Sequence, residues 1–450
     1  MRVLLLSTYE LGHQPLHLAS PAAALLAAGH EVRCVDLAAQ AWDQEAVAWA
    51  GAAALSVPMH TAMRLAAQAA RRIRESRPGL PLCLYGLYAG VSRELTLGPL
   101  ADHIVAGEYE PGLLAWVEDL GRGRQPGPSV LNRDRGAFSV PRRELLPPLG
   151  GYAHLAMGGQ ERVVGYVEAS HGCASRCRHC PVPAVYDGRV RIVGRDVVVE
   201  DVARLVAAGA RHITFGDPDF LNAVHHSLRV VDEVHGRFPE LTFDCTTKVE
   251  LILRHHGIWG RMAEAGCLFV VTAVECVNDA ILARIDKGHT AADAARAVTL
   301  LREHGIEPRP SLLPFTPWTT VADVAEILDF VVDHDLVGNV DPVHYSIRLL
   351  VPDGSLLLSD AELVSRLEGY DAEHLTWRWS SADPEVDRLQ ARLAALVEDA
   401  AARGEGTVAT FARVTQAVAE APGGRTVSVP QGLLAGSLEG RPRLTEPWFC

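Results

Sequence analysis

The chain has 450 residues, 48% hydrophobic and 22% charged, which is ordinary globular material for two or three domains. Its net charge of -13 is spread along the chain with no basic run suited to nucleic acid, and no stretch approaches about 20 uninterrupted apolar residues, so no membrane span is expected. The start, Met1-Arg2-Val3-Leu4-Leu5-Leu6-Ser7, has no small-residue cleavage site and reads as a first buried strand, which points to a cytoplasmic protein with a small molecule or a protein as partner.

Residues 1–120 alternate short apolar runs with helical patterns, the mark of a parallel sheet wrapped by helices. Strands are expected at Val3 to Ser7, Glu31 to Leu37, Ala52 to Val57, Leu82 to Tyr85 and His103 to Val105. Ser20-Pro21 is expected to open a helix over Ala22 to Ala28, and another runs from about Thr61 to Glu75. Ligands of such sheets bind beyond the carboxyl ends of the strands, which puts Ser56, Gly86, Gly107 and Glu108 on one candidate rim. Residues 121–160 are rich in Gly, Arg and Pro and read as a linker with little regular structure.

From Gly165 the alternation resumes, with strands expected at Tyr166 to Ala169, His212 to Gly216, Thr242 to Cys245, Leu268 to Val274, Pro310 to Pro314 and His344 to Leu349. Six units are too few for a closed eight-stranded barrel, so residues 161–350 are expected to form an open, partial one with its site at the strands' carboxyl ends. Residues 351–450 read as mainly helical, with an amphipathic helix at Pro384 to Arg403 and a Gly- and Pro-rich tail ending at Cys450.

The chemistry concentrates in His171-Gly172-Cys173-Ala174-Ser175-Arg176-Cys177-Arg178-His179-Cys180. Three thiols spaced Cys-x3-Cys-x2-Cys can aim at one point. Three sulfurs suit a cubane iron–sulfur cluster with one iron open, whereas a structural zinc site needs a fourth ligand, here His171 or His179. A disulfide leaves one cysteine over. The remaining internal cysteines, Cys34, Cys83, Cys245, Cys267 and Cys276, lie in apolar strand contexts and read as small core residues.

The spacing is the signature of the radical SAM superfamily, and the chain resembles it over residues 1 to about 350. The resemblance implies a [4Fe-4S] cluster on Cys173, Cys177 and Cys180, S-adenosylmethionine (SAM) on the open iron, and a reductant such as flavodoxin or ferredoxin. It places His179 as a packing residue beneath the cluster or near the adenine, Gly216 and Asp217 at the SAM amino group, and Glu275 at the ribose hydroxyls. Two arginines, Arg309 and Arg348, suit a carboxylate on SAM or substrate, and suit structural ion pairs equally. Asp244, Thr246 and Lys248 share one face of an extended segment and are further candidates to face substrate.

The first domain resembles the cobalamin-binding domain that precedes many radical SAM domains, on Pro15 to Leu37, Leu55-Ser56, Leu84-Tyr85-Gly86 and Gly107-Glu108-Tyr109-Glu110. The motif Asp-x-His-x-x-Gly, which supplies a histidine to cobalt elsewhere, is absent. A corrinoid held without that ligand, and a degenerate domain that binds nothing or carries substrate, both stay open. The implied reaction is methyl transfer. The alternatives are 3-amino-3-carboxypropyl transfer, rearrangement of a small metabolite, or a cluster-carrying redox module. Glu446-Pro447-Trp448-Phe449-Cys450 resembles the end of a family whose tail reads Cys-Cys-Ala-Glu-Pro or Cys-selenocysteine-Ala-Glu-Pro, which implies a selenoprotein read short at that point.

Overall fold

The computed structural model describes residues 1–91, 93–134, 136, 138–430 and 440–445, so the expectation for the Cys450 tail lies outside the described residues. Six strands build the first sheet: β1 (Arg2–Ser7), β2 (Glu31–Asp36), β3 (Ala52–Ser56), β4 (Leu82–Tyr85), β5 (His103–Gly107) and β6 (Ser129–Asn132), in the order β2-β1-β3-β4-β5-β6 and all parallel. β1, β3, β4 and β5 are buried along almost their whole length, because helices cover both faces and every side chain meets apolar neighbours. The order reverses between β1 and β3, which opens a crevice beyond their carboxyl ends.

The first helix starts earlier than its sequence suggests. It spans Leu16–Ala27 and carries Pro21 inside. A proline there has no N–H for the His17 carbonyl. The Tyr85 hydroxyl fills the gap, donating to that carbonyl at 2.6 Å. A partner on β4, 68 residues along the chain, thus decides what a local cap signal could not.

The presumed linker is more ordered than expected. It supplies β6, which pairs with β5 from Ile104↔Ser129 to Gly107↔Asn132, and β7 (His154–Met157). β6 shows little apolar alternation, so only its backbone ladder reveals it. Between the two, Arg143 ties the halves of the molecule together. Its guanidinium donates to both Asp201 oxygens at 3.1 and 2.8 Å, to the Gln14 carbonyl at 3.1 Å and to the Tyr166 carbonyl at 2.6 Å. Both partners of the pair are buried. Arg143→Met is expected to lower the unfolding free energy by about 3–5 kcal/mol, since it strands the Asp201 carboxylate without a partner. Adding Asp201→Leu should restore much of the loss in a denaturant titration. A double variant as weak as the single one would contradict this account.

The second sheet begins with the hairpin β7 and β8 (Gln160–Val167), followed by the small antiparallel pair β9 (Ser170–Gly172) and β10 (Val190–Ile192). Four more parallel strands extend β8: β11 (His212–Phe215), β12 (Thr242–Thr246), β13 (Cys267–Glu275) and β14 (Glu307–Leu312). The expected sixth strand at His344 to Leu349 does not form. Pro342–Tyr345 is a 3-10 turn, and only a single bridge, Phe315↔Arg348, continues the ladder. Pro342 has no amide to donate, and the His344 and Ser346 amides turn back onto the Asp341 and Val343 carbonyls. The half-barrel therefore has five parallel strands. The carboxyl-terminal region adds a hairpin, β15 (Leu367–Asp371) with β16 (Thr376–Trp379), and a second helix, Thr407–Glu420, to the expected helix, which spans Pro384–Ala402. β17 (Arg443–Leu444) then closes the outer edge on β7. Among the described residues, no helix is long and apolar enough to cross a membrane.

Candidate active site

The three cysteines leave from the β9–β10 ladder, just past the end of β8. Gly172 has φ +74°, and a Cβ there would stand 2.3 Å from the Arg189 carbonyl oxygen, so glycine is required where the chain turns out of the ladder. Beyond it the Ala174 amide donates to Asn222 Oδ1 at 3.0 Å and the Arg178 amide to the Ile285 carbonyl at 2.9 Å. The short helix Val182–Tyr186 then packs Val182, Val185 and Tyr186 into the core of the first sheet. Both halves of the molecule therefore hold the loop.

The donor set fits a cluster. Cys173 and Cys177 are buried, Cys180 is half-buried, and none forms a disulfide. Burial pushes the Cys180 thiol up to about 12 and raises that of Cys173, so these two sulfurs need bound metal to become thiolates. Two buried nitrogens beside the loop, His179 Nδ1 and Asn222 Nδ2, have no partner, and the Asn222 amide is a donor of the kind that tunes cluster sulfurs. The zinc alternative is left with His179 Nδ1 as its candidate fourth ligand. His171 spends both ring nitrogens on Glu108 and Glu168, and His179 Nε2 meets Glu275. Among the described residues, no three His, Cys, Asp or Glu side chains converge on a single-ion site.

Glu275, His179 and Lys287 come together at the end of β13. Glu275 Oε1 accepts from His179 Nε2 at 3.1 Å and from Lys287 Nζ at 2.7 Å. Burial alone would raise this carboxyl, but the Lys287 and His179 charges hold it well below the usual range. Its backbone sits at φ +66°, where β13 slips register against β14 between Ala273 and Glu275. A non-glycine residue in that region is strained, and such strain clusters at functional sites.

Asp217 behaves differently. It is 1% exposed, and its carboxyl turns back to the entry of the loop, accepting from the Ala169 amide at 2.9 Å and the Ser170 hydroxyl at 2.6 Å. Neighbouring Gly216 lies under Tyr166, whose ring would be 2.0 Å from any Cβ there. Arg309 is held bidentately by Asp341 at 3.0 Å and donates to the Pro442 carbonyl at 3.1 Å. Arg348 pairs with Asp387 at 2.7 Å and lies over Trp379. Asp244 accepts from the Thr214 hydroxyl at 2.7 Å and meets His212 Nε2 at 2.9 Å. Lys248 instead reaches the cysteine loop, donating to Ser175 Oγ at 3.1 Å.

The seam between the sheets holds a chain of alternating acids and imidazoles that sequence reasoning missed. Glu108 on the first rim meets His171 Nδ1 at 3.1 Å, and Glu168 takes His171 Nε2 at 3.1 Å. His17 Nε2 lies 3.4 Å from Glu168, and its Nδ1 lies 2.7 Å from the Tyr109 hydroxyl. The signal in the sequence was a glutamate and a histidine, Glu168 and His171, flanking Ala169-Ser170 at a strand end. Beyond the carboxyl ends of β1 and β3, bordered also by Gly86, the seam leaves a cleft of about 230 Å³. Burial alone would depress the His17 imidazole, but Glu10 and Glu168 raise it to about 9, against 6.5 in an unfolded chain. A raised folded value gives stability that is complete below pH 6.5 and lost as pH rises through about 9. Unfolding free energy is therefore expected to fall from pH 7 to 9, by on the order of 1 kcal/mol per pH unit from this group. His17→Gln should flatten that slope in a urea titration series. An unchanged slope would remove the attribution to His17.

Residues 167–331 match the family model described as the radical SAM superfamily. A Methanocaldococcus jannaschii protein that carries the name of a methylthiotransferase is 27% identical over 207 residues, 42% of this chain and 43% of its own length. The chain thus spans less than half of that curated relative. Among solved structures, the cobalamin-dependent S-adenosylmethionine radical enzyme OxsB with aqua-cobalamin bound has a TM-score of 0.68 at 14% identity, covering 87% of this chain and 66% of that one. The radical S-adenosylmethionine methyltransferase TsrM from Kitasatospora setae, with cobalamin and a [4Fe-4S] cluster bound, has a TM-score of 0.60 at 19% identity, covering 74% and 70%. At these identities the two structures share the fold, a parallel sheet followed by a half-barrel. The three-cysteine loop lies near the head of the segment, residues 167–331, that matches the radical SAM model.

Proposed function

We propose that the protein is a radical SAM enzyme whose catalytic half, residues 161–350, works against the rim of residues 1–120. The observation that carries this reading is the junction of the cysteine loop with the end of β13, where His179 of the loop and Glu275 of the strand share one hydrogen bond. A [4Fe-4S] cluster on Cys173, Cys177 and Cys180, with SAM at its open iron, supplies reductive cleavage of a sulfonium C–S bond. The chain's own residues orient the nucleoside and shut out water. His179 and Lys287 both bind Glu275 Oε1, so Oε2 is the oxygen for the ribose hydroxyls. Asp217 braces the loop from below and acts as a positioning residue, while the Gly216 backbone borders the amino group. Electrons come from a reductant such as flavodoxin or ferredoxin, and the substrate is a small molecule or peptide.

The experiment is anaerobic reconstitution, reduction with dithionite and identification of the SAM-derived product. Cleavage to 5'-deoxyadenosine is the expected result. 5'-Methylthioadenosine would move the reading to 3-amino-3-carboxypropyl transfer, and no cleavage at all would overturn it.

Cobalamin-dependent methyl transfer is a second reading, favoured by the fold shared with two corrinoid enzymes. Ser56, Gly86, Gly107 and Glu108 border the rim where a corrinoid would sit. The fit is poor in the arrangement the chain adopts. The cleft of about 230 Å³ is below the roughly 300–1,000 Å³ that hold drug-sized ligands, and a corrinoid is far larger than those. Glu108 is also committed to His171. Corrinoid binding therefore requires the seam to part, and a visible-absorption titration with hydroxocobalamin tests it.

A further inference from the structure

The seam cleft lies at the switch point of the first sheet, where β1 and β3 diverge and ligands of such sheets bind. One wall comes from the turns after β1, β3 and β4, with Glu10, Met59 and Leu87. The other comes from the cysteine loop, with Gly172 next to Cys173 and Val182 two residues past Cys180. Any occupant of the cleft therefore reaches both the rim and the reactive loop.

Glu10 is 7% exposed and lines this cleft. Its Oε2 takes the His17 amide at 3.4 Å, while Oε1 is buried with no partner. A buried carboxyl oxygen left unpaired is destabilising, more so when charged, and calls for a ligand that supplies the missing donor. We propose that the cleft is a substrate pocket for a small molecule bearing a primary amine, with the ammonium seated on Glu10 Oε1 and a short apolar body between Met59, Leu87 and Val182. The surroundings select a cation over a neutral donor. Burial and the nearby charges of Asp36 and Glu168 push the Glu10 carboxyl up to about 7, against the pull of His17, and an ammonium relieves that repulsion. The volume of about 230 Å³ restricts the molecule to a size below drug-like ligands.

This inference names a substrate class and rests on the radical SAM reading. Its test uses reconstituted full-length protein with n-pentylamine, 1-pentanol and pentanoate as probes, and SAM in a separate titration. The amine is expected to bind at least tenfold more tightly than either isostere. Glu10→Gln should bring the amine within twofold of the alcohol and leave the SAM dissociation constant within twofold of wild type. Should Glu10→Gln fail to fold, Leu87→Phe decides: lost amine binding supports the pocket and retained binding overturns it. Equal binding of all three probes, or weakened SAM binding in Glu10→Gln, overturns the assignment. Hydroxocobalamin that binds tightly and displaces the amine also overturns it. Cys177→Ala protein, measured in parallel, should keep amine binding, so a failed radical reading and a failed pocket give different results.

Discussion

Replacing Cys177 by alanine is expected to abolish the cluster and all SAM cleavage. Wild-type protein reconstituted anaerobically should hold about four irons per chain, as a cubane on three thiolates requires. Cys177 is the middle ligand, buried at 5%, with its carbonyl accepting from the Cys180 amide at 3.2 Å. Alanine leaves two thiols, one too few for a cubane held at three irons, and His171 cannot take over, because Glu108 and Glu168 hold both its ring nitrogens. The fold should persist, since the loop is anchored by backbone bonds to Asn222 and Ile285 rather than by the thiols. Iron analysis and the charge-transfer absorption near the visible range report the cluster, and circular dichroism reports the fold. A variant that kept both iron and SAM cleavage would overturn the central reading.

Lys287→Met should produce the second-largest effect. The Lys287–Glu275 pair is almost fully buried, with side-chain exposures of 5% and 10%. Removing the ammonium leaves a carboxylate in a dry site with only His179 to meet it, which costs about 3–5 kcal/mol of stability. SAM affinity should fall as well, by tenfold or more, because Glu275 at φ +66° then loses the contact that aims it. The double variant Lys287→Met/Glu275→Leu separates the two effects. Replacing both charges by apolar groups should recover most of the stability and none of the SAM binding. Recovery of both would make Glu275 a purely structural residue.

The cysteine spacing was legible in one dimension because a three-thiol loop is a local object. Three ligands within eight residues need no tertiary structure to be brought together. The apolar runs of β1, β3, β4 and β5 were legible for a related reason: strands buried on both faces carry their burial in their composition. Glu275 could be picked out as the residue at which a long apolar strand ends.

Tertiary structure alone decided the rest. β6 and β17 are short and weakly patterned, and they exist because a neighbouring strand offers an unpaired edge. The expected strand at His344 to Leu349 failed for the opposite reason, since Pro342 favours a turn and only one bridge to Phe315 competes with it. Lys287 reaches Glu275 across twelve residues, and Arg143 joins Gln14, Tyr166 and Asp201 over separations that no periodicity encodes. The seam is the clearest case. Glu10, His17, Glu108, Glu168 and His171 are scattered over the first 171 residues, and although Glu108 and His171 stand out in the sequence, nothing in it joins the five. Bringing the carboxyl ends of the two sheets' strands together buries them, and the cost of leaving buried charges unpaired forces them into one network with the Glu10 Oε1 oxygen left over.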